Sequence, residues 1–442
     1  MKVAKFGGTS LADANQIKKV VEIVKSDPER RCVVVSAPGK RNPNDDKITD
    51  MLYLWARSPN SEKLIFEKTI ISRYQGIIDI LGVNMDFRSH FEDAKKSFGE
   101  IAGKNKEDYI ASRGEYWMAM IMANILDYDF VDAKKFIVFD NCGLFNLPRT
   151  EKLAAKMSLR QTAKKKGIVV PGFYGRMSDG TIKTFSRGGS DITGAIIAAC
   201  VGASLYENFT DVSGIFMADP RIIKNPRRIE KLTYRELREL AYMGANVLHD
   251  ESIFPVRRLK IPINIRNTNR PGDKGTMVVA KINEQERIPG SIIGIAGKKG
   301  FSVVKIEKNS MDYEIGFLRR VCQIMEDHHI NIEHIPSGID TLSVVAENSK
   351  FNAVSDAIIK ELKKKCNPDA ISVEAEMALV CIVGSAMANT PGVSAKIFGA
   401  VAGAGVNVKM INQGSSEISI IIGVNEKDYE TTIYAIYDEF AD

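Results

Sequence analysis

Short apolar runs alternate with helical patterns along roughly the first 285 residues of the chain. Runs rich in β-branched side chains predict buried strands at 3–6, 32–36, 136–139, 168–171, 204–208 and 263–266. Apolar residues spaced three and four apart predict intervening helices at 15–25, 116–126 and 191–201. Because strands that alternate with helices form a mostly parallel sheet covered on both faces, we expect an α/β fold.

Two parts of this region depart from the alternation. Residues 58–112 are polar and helical without a strand pattern, which predicts a helical excursion or lid. Residues 173–184 have Ser-Asp-Gly at their centre and predict a β-hairpin. Ligands of parallel sheets bind beyond the carboxyl ends of the strands. The residues that follow predicted strands at that edge include Lys5, Ser36 and Thr210.

The pattern changes after residue 285. A polar stretch at 284–289 ends in proline and is typical of a linker. Two later segments, 316–338 and 392–414, resemble each other: both open with glycine, continue as a helix and reach a strand that begins with Asn331 or Asn407. Two copies of a β-helix-β unit predict a pair of small α+β modules.

Charge, cysteine spacing and hydropathy argue against several classes of protein. The net charge of +6 is small for 442 residues, and there is no long basic run, which argues against nucleic-acid binding. The six cysteines are scattered without metal-binding spacing, as in proteins of a reducing compartment. The N-terminus has no signal-peptide pattern, and no apolar run reaches the length of a membrane span. We therefore expect a soluble, cytoplasmic protein without a membrane partner.

The N-terminal strand leads into Lys-Phe-Gly-Gly-Thr-Ser at residues 5–10, just before a helical pattern. The spacing of a P-loop is absent. Glycine amides, a helix start and the charge of Lys5 could nevertheless bind an anion such as phosphate. The alternative is that the glycines only make a tight connection between strand and helix.

A second glycine-rich segment precedes an apolar helical pattern at 185–199. Arg187 could bind a carboxylate through two hydrogen bonds, and Asp191 could accept from an ammonium group, so the pair suits a zwitterion. The alternative for Ser190 or Asp191 is a helix N-cap.

Two further motifs have structural alternatives. The segment 207–221 ends a strand at Thr210 and Asp211 and reaches Asp219-Pro220-Arg221, which alone could be an Asx turn. Glu115 in Ser-Arg-Gly-Glu is predicted to start a helix, where a glutamate is often only structural.

Taken together in this order, the motifs 5–10, 112–115, 187–191 and 210–221 make the chain resemble the aspartate kinases of the amino acid kinase superfamily. The resemblance covers essentially the whole chain and implies the amino acid kinase fold followed by two ACT domains. It implies a catalytic domain at 1–285, an inserted ACT domain at 301–375, and a second ACT domain made of 286–300 plus 376–442. The implied reaction is the ATP-dependent phosphorylation of the side-chain carboxylate of L-aspartate, which opens lysine, threonine and methionine biosynthesis.

The resemblance also implies roles for individual residues. It places Lys5, Gly7 and Gly8 at the transferring phosphoryl group and makes Asp191 a catalytic residue that matches the aspartate site. It assigns nucleotide binding to Lys5, Gly8, Thr210, Asp211, Phe216 and Arg221. The implied aspartate-binding residues are Ser36, Thr49, Glu115, Phe173, Arg187 and Ser190. Mg²⁺ is expected mainly on the nucleotide phosphates, with no dedicated protein metal site.

The ACT pair implies feedback inhibition by an amino acid, with lysine expected before threonine, and assembly into a homodimer or homotetramer. The positions that match effector contacts are Met311, Phe317, Leu318, Asn331, Ile332 and Glu333. For Phe317, Leu318 and Ile332, core packing is an equal alternative.

Two features of the sequence bear on these expectations, and two rival hypotheses stay open. Asn246 replaces a lysine that contacts nucleotide in relatives. The chain ends at Asp442, short of the homoserine dehydrogenase part of fused relatives, so we expect a monofunctional kinase. The rival hypotheses are a kinase for glutamate, N-acetylglutamate or UMP, and a catalytically inactive amino-acid sensor.

Overall fold

A computed structural model describes residues 1–101, 105–186, 188–245, 248 and 252–441. The chain forms two compact units. The first unit contains residues 1–215, 230–234 and 246–282. The second contains residues 216–229, 235–245 and 283–442.

The first unit is built on an eight-stranded sheet in the order β3-β4-β2-β1-β7-β9-β10-β8. Neighbouring strands pair in parallel, except for the antiparallel pair β9–β10. The strands are β1 Lys2–Phe6, β2 Arg30–Val35, β3 Asp129–Phe130, β4 Ile168–Pro171, β7 Leu205–Thr210, β8 Lys231–Thr233, β9 Ile263–Asn267 and β10 Thr276–Val279, and a separate hairpin is formed by β5 Tyr174–Arg176 and β6 Ile182–Thr184.

Helices connect these strands. They are α1 Ala14–Lys25, α2 Ile48–Arg57, α3 Asn60–Leu81, α4 Phe87–Glu100, α5 Lys106–Leu126, α6 Leu147–Lys156, α7 Leu159–Lys165, α8 Gly189–Val201, α9 Tyr234–Tyr242 and α10 Ile253–Arg258. The predicted α/β alternation is therefore confirmed, as are the hairpin and the helical excursion after residue 58. Apolar faces of α2 to α5 share one core, in which Tyr74 stacks on Phe87 and Trp117 packs edge-on against both.

The strand predicted at 136–139 is wrong. Phe136 follows a short 3-10 helix, and the segment makes only isolated bridges, from Val138 to Arg176 and from Phe139 to Phe145. Its apolar side chains are buried, which explains the strand-like pattern. Burial alone does not distinguish a strand from a buried turn.

The second unit contains a five-stranded sheet in the order β12-β11-β13-β15-β14. Its strands are β11 Gly294–Glu307, β12 Thr341–Glu347, β13 Ala370–Val383, β14 Met410–Gln413 and β15 Ser419–Asn425. Its helices are α11 Phe317–Asp327, α12 Asn348–Phe351, α13 Ser355–Cys366, α14 Val393–Gly403 and α15 Tyr429–Phe440.

Two halves of this sheet share the long strands β11 and β13. The early part of β11 and the late part of β13 pair beside β15, whereas their other ends pair beside β12. Each half has its own hydrophobic core. The predicted internal repeat is visible in α11 and α14, which both begin after a glycine in the left-handed region, Gly316 and Gly392.

The strand starts predicted at Asn331 and Asn407 are wrong. In the second copy the strand β14 begins only at Met410, and in the first copy the bridges are isolated ones at His334 and Ser337. Among the described residues, none of the helices is long and apolar enough to cross a bilayer.

Candidate active site

The side chain of Lys5 lies at the carboxyl end of β1, where the sheet places it next to β7. Its ammonium group is 2.5 Å from the Oδ1 atom of Asp191 and 3.5 Å from the Oδ1 atom of Asn208. The amide of Asn208 donates to the same Asp191 oxygen over 3.0 Å. Lys5 is only 7% exposed, so its charge is held in a largely dry place by one carboxylate and one amide. Such a cation can stabilise an anion placed beside it.

Asn208 is a site residue that the sequence reasoning missed. It lies on β7 directly opposite Lys5 in the parallel register and is 2% exposed. A polar residue inside a predicted strand was the available signal, because buried amides need hydrogen-bond partners.

Asp191 is presented by the first turn of α8. The N-cap of this helix is Gly188, in the left-handed region at φ 56°, so the alternative that Ser190 or Asp191 caps the helix is wrong. A hydrogen bond from the hydroxyl of Tyr206 to the Asp191 carbonyl, 3.0 Å long, ties this turn to β7. The Asp191 carboxylate is therefore left to face Lys5.

Gly7 and Gly8 form the turn after β1. The Gly7 amide donates to the Phe209 carbonyl over 3.0 Å, so in this structure it belongs to the sheet and does not face a ligand. A Cβ atom at Gly8 would lie 3.1 Å from the Ala37 carbonyl oxygen and 3.2 Å from the Gly39 Cα atom. The turn is thus packed closely against the loop after β2, and Gly8 and Thr9 carry the amides that remain as candidates for an anion.

The carboxyl edge of β7 and β9 continues this surface. Thr210 accepts from the Thr268 amide over 2.9 Å, and the hydroxyls of Thr268 and Ser10 are 2.7 Å apart. The side-chain amide of Asn267 donates to the Asp211 carbonyl. Thr268 and Asn267 were not predicted, because they lie in no motif and reach the site only through the strand order.

Glu115 lies in the middle of α5, nine residues after its first residue. The prediction that Glu115 begins a helix is wrong, because the helix starts at Lys106. Burial raises the pKa of Glu115 to about 8, against the opposing effects of a hydrogen bond from the Ala37 amide and the charge of Arg113. Its Oε2 atom is buried without a hydrogen-bond partner among the described residues. A buried carboxylate with a free oxygen suits a ligand cation.

The remaining predicted aspartate-binding residues lie on three segments. Ser36 follows β2 and donates its amide to the Phe6 carbonyl, and Thr49 lies in the first turn of α2. Phe173 has a φ of +78° and its amide donates to the Thr193 hydroxyl, which joins it to α8. Ser190 is buried, and a Cβ atom at Gly172 would lie 2.6 Å from its hydroxyl.

Not all predicted residues can be placed together. Arg187 and Asn246 lie outside the described residues. Phe216 and Arg221 belong to the second unit, where Phe216 bridges Arg228. The Arg221 side chain forms an ion pair with Asp219, and the Arg221 backbone amide also donates to Asp219. The side-chain hydrogen bond from Arg221 lowers the pKa of Asp219. The Asx-type turn expected as the alternative for this segment is present.

Comparison with known proteins gives the family. Residues 1–267 match the amino acid kinase family, and residues 380–440 match an ACT domain. The chain is 39% identical to aspartokinase 3 of Bacillus subtilis over its whole length and 98% of that protein. The chain belongs to the aspartate kinases.

Solved aspartate kinases share the architecture. The enzyme of Clostridium acetobutylicum, described as allosteric, is 46% identical with a TM-score of 0.90, and both chains are covered completely. Escherichia coli aspartokinase III in complex with aspartate and ADP is 25% identical, has a TM-score of 0.81 and is also covered completely. The same E. coli enzyme is known with lysine and aspartate in a T-state.

The positions expected to bind an effector lie in the second unit. Glu333 accepts from the Asn331 side chain over 2.9 Å and from the hydroxyl of Tyr242. Met311 and Phe317 are buried in the core of their module, and Ile332 packs against it. Leu318 is 49% exposed. The core-packing alternative thus describes Phe317 and Ile332 better than Leu318.

Proposed function

We propose that the Lys5 cluster, defined as Lys5, Asp191 and Asn208, is the phosphoryl-transfer centre of this aspartate kinase. The chain phosphorylates the side-chain carboxylate of L-aspartate with ATP. The observation that supports the cluster as the centre is a buried lysine at the carboxyl edge of the sheet, held 2.5 Å from a helix-start carboxylate and beside a glycine turn. Such an edge is where parallel sheets bind ligands.

The acceptor needs no general base. A free aspartate side chain has a pKa of about 3.9 and is ionised at neutral pH. The barrier is electrostatic, since an anion must approach the anionic γ-phosphoryl group. Lys5 and the amides of Gly8 and Thr9 would offset this repulsion as the phosphoryl group transfers.

The substrate is proposed to bind through its zwitterionic end. Glu115 supplies a carboxylate oxygen without a protein partner, which suits the ammonium group of aspartate. Arg187 is proposed to bind the α-carboxylate through two hydrogen bonds. Ser36, Thr49, Phe173 and Ser190 are proposed to line the same site.

The nucleotide is proposed to bind beside Lys5 and Gly8 along the edge formed by Thr210 and Asp211. Phe216 and Arg221 stay predicted nucleotide contacts. Mg²⁺ enters as part of MgATP and supplies positive charge between the phosphates. Among the described residues, no group of three or more His, Cys, Asp or Glu side chains is arranged to hold a metal ion.

Regulation is proposed to act through the ACT modules at 301–375 and at 286–300 plus 376–442. Lysine is the favoured effector, with threonine second, because the similar E. coli enzyme is lysine-sensitive and binds lysine in its T-state. We also propose a homodimer or homotetramer formed through these modules. The six free cysteines support a cytoplasmic location.

An acyl phosphate can be trapped directly. The purified protein is incubated with MgATP, hydroxylamine and L-aspartate, L-glutamate or N-acetylglutamate, and hydroxamate is measured with and without lysine or threonine. Hydroxamate from aspartate alone is expected, and lysine is expected to suppress it. A folded protein that binds ATP but forms no hydroxamate would instead support an amino-acid sensor.

Substitution of the lysine tests the centre itself. Lys5→Met removes the charge beside the phosphoryl group, so kcat is expected to fall by about 10²–10³-fold or more while aspartate still binds. Lys2→Met is the matched control, because Lys2 lies on the same strand but pairs with Asp27, outside the proposed centre. A kcat of Lys5→Met near that of the parent would contradict the role.

A further inference from the structure

The helix α3 carries a buried arginine although it contains none of the catalytic motifs. Arg73 is 6% exposed, and charged side chains are buried this deeply only when they are paired. Its neighbour Tyr74 is fully buried and donates to the Gly114 carbonyl over 2.7 Å, next to Glu115. Tyr74 therefore joins α3 to α5 beside Glu115, whereas the adjacent Arg73 has its hydrogen-bond partners in other segments.

Arg73 binds the loop that follows β2. One guanidinium nitrogen donates to the Gly39 carbonyl over 3.1 Å and, more weakly, to the Ala12 carbonyl at 3.4 Å. The other donates to the Asp45 carboxylate over 2.5 Å. Arg41 binds the same carboxylate, and its hydrogen bond holds the pKa of Asp45 well below the usual range. Asp45 is thus ionised and fixed between two arginines.

Gly39 is the residue through which this loop meets the glycine turn. Its amide donates to the Gly8 carbonyl over 2.8 Å. A Cβ atom at Gly39 would lie 2.5 Å from the carbonyl carbon of Gly8 and 2.7 Å from the Thr9 amide nitrogen. Because the two backbones touch without room for a methyl group, any shift of Gly39 moves Gly8 and Thr9.

We infer that Arg73 is a positioning residue for phosphoryl transfer. Its guanidinium group fixes the Gly39 carbonyl through a hydrogen bond. Gly39 in turn fixes the amides of Gly8 and Thr9, which the proposed function assigns to the transferring phosphoryl group. Arg73 itself touches no reactant. Misplacement of reacting groups by about 1 Å can lower a rate by about 10²-fold, so a loosened turn affects kcat more than substrate binding.

The test compares variants at both ends of the Arg73–Asp45 pair. For Arg73→Met we expect kcat to fall by about 10²-fold, with aspartate affinity, measured by calorimetry, changed less than about threefold. Arg73→Lys keeps the charge but cannot span both Gly39 and Asp45, so partial recovery of kcat is expected. Asp45→Asn leaves the Gly39 hydrogen bond in place, so a smaller loss than that of Arg73→Met is expected.

Arg57→Met is the matched control, because Arg57 also pairs with a carboxylate, Glu107, but on the exposed side of α2. All assays are run well below the midpoint of thermal unfolding of each variant. A parental kcat in folded Arg73→Met, or equal losses of kcat and aspartate affinity, would overturn the positioning role. If Arg73→Met does not fold, a parental kcat in Arg73→Lys would overturn it. Failure of the parent protein to phosphorylate aspartate would overturn the proposed function instead, so the two failures are distinguishable.

Discussion

Glu115 holds a carboxyl group where its surroundings favour the protonated form. Its folded-state pKa of about 8 lies above the ordinary value of 4.5. Between these values the folded protein keeps a proton that the unfolded chain releases, so the free energy of unfolding falls as pH rises through this range. An ammonium group bound beside Glu115 would stabilise its ionised form.

We expect Glu115→Gln to remove the loss of stability that the parent shows as pH rises, because glutamine does not ionise. The stability of the variant relative to the parent should increase between pH 5 and pH 8, by up to about 1.4 kcal/mol per pH unit. Chemical denaturation at several pH values measures the difference. Glu92→Gln, on the exposed face of α4, is the control. Parallel curves for parent and Glu115→Gln would contradict the proposed pKa.

The same residue predicts how aspartate binding depends on pH. Binding of the substrate ammonium group favours ionised Glu115, so the parental Kd for aspartate should tighten from pH 6 to pH 8 and level off above the pKa, at most tenfold per unit. The Glu115→Gln variant should bind weakly and show no such slope. Calorimetry at each pH tests this, and an equal slope in both proteins would exclude Glu115 as the group responsible.

At the scale of elements, the contact between α8 and β7 determines where Asp191 lies relative to Lys5 and Asn208. A Cβ atom at Gly194 would lie 2.6 Å from the ring and the hydroxyl of Tyr206, and Tyr206 is fully buried. A larger residue than glycine would not fit at position 194, so Gly194 allows α8 to lie close to β7. This approach allows the Tyr206 hydroxyl to reach the Asp191 carbonyl.

Gly194→Ala is expected to push α8 away from β7. Overpacking of this kind costs about 1–3 kcal/mol of stability. Because Asp191 moves with the helix, kcat should also fall by about tenfold or more. Gly76→Ala is the matched control: Gly76 lies inside α3 with no atom near its would-be Cβ, so the variant should be about 0.5–1 kcal/mol more stable and fully active. Unchanged kcat in Gly194→Ala would show that α8 tolerates the shift.

The elements also show what the sequence can and cannot predict. Short apolar runs predicted β1, β2, β4, β7 and β9, and apolar periodicity predicted α8. The Ser-Asp-Gly turn predicted the hairpin. The start of α5 was missed because its first three residues, Lys106, Glu107 and Asp108, are charged. The contribution of Asn208 and Thr268 depends on which strands lie side by side, and a single chain's periodicity carries no information about strand order.

At the scale of the whole molecule, the boundary between catalytic and regulatory parts does not follow the sequence. Residues 235–245 lie within the segment that matches the amino acid kinase family, yet they belong to the second unit. Within that unit Glu236 accepts from the Ser385 amide, and Glu239 accepts from the Ser419 hydroxyl. The helix α9 follows β8 of the catalytic sheet directly in the chain, so it is a continuous connection from the regulatory unit to that sheet.

Tyr242, at the end of α9, donates its hydroxyl to Glu333, one of the proposed effector contacts. Burial, with the Glu333 carboxylate beside it, raises the pKa of Tyr242 to about 12, so the hydroxyl stays protonated as a donor. An effector whose ammonium group binds Glu333 therefore acts on a residue already joined to α9. Coupling of this kind is a free energy shared by two sites.

We expect Tyr242→Phe to uncouple inhibition from effector binding. Removing a hydrogen bond to a charged group is worth about 1.5–3 kcal/mol, enough for about a tenfold change in coupling. Basal kcat should be unchanged, lysine should still bind in calorimetry, and residual activity at saturating lysine should rise. Tyr434→Phe is the control, because its hydroxyl donates to the Ile222 carbonyl in the same unit and does not contact Glu333. If Tyr242→Phe loses lysine binding and inhibition together, Tyr242 belongs to the effector site and not to the connection through α9.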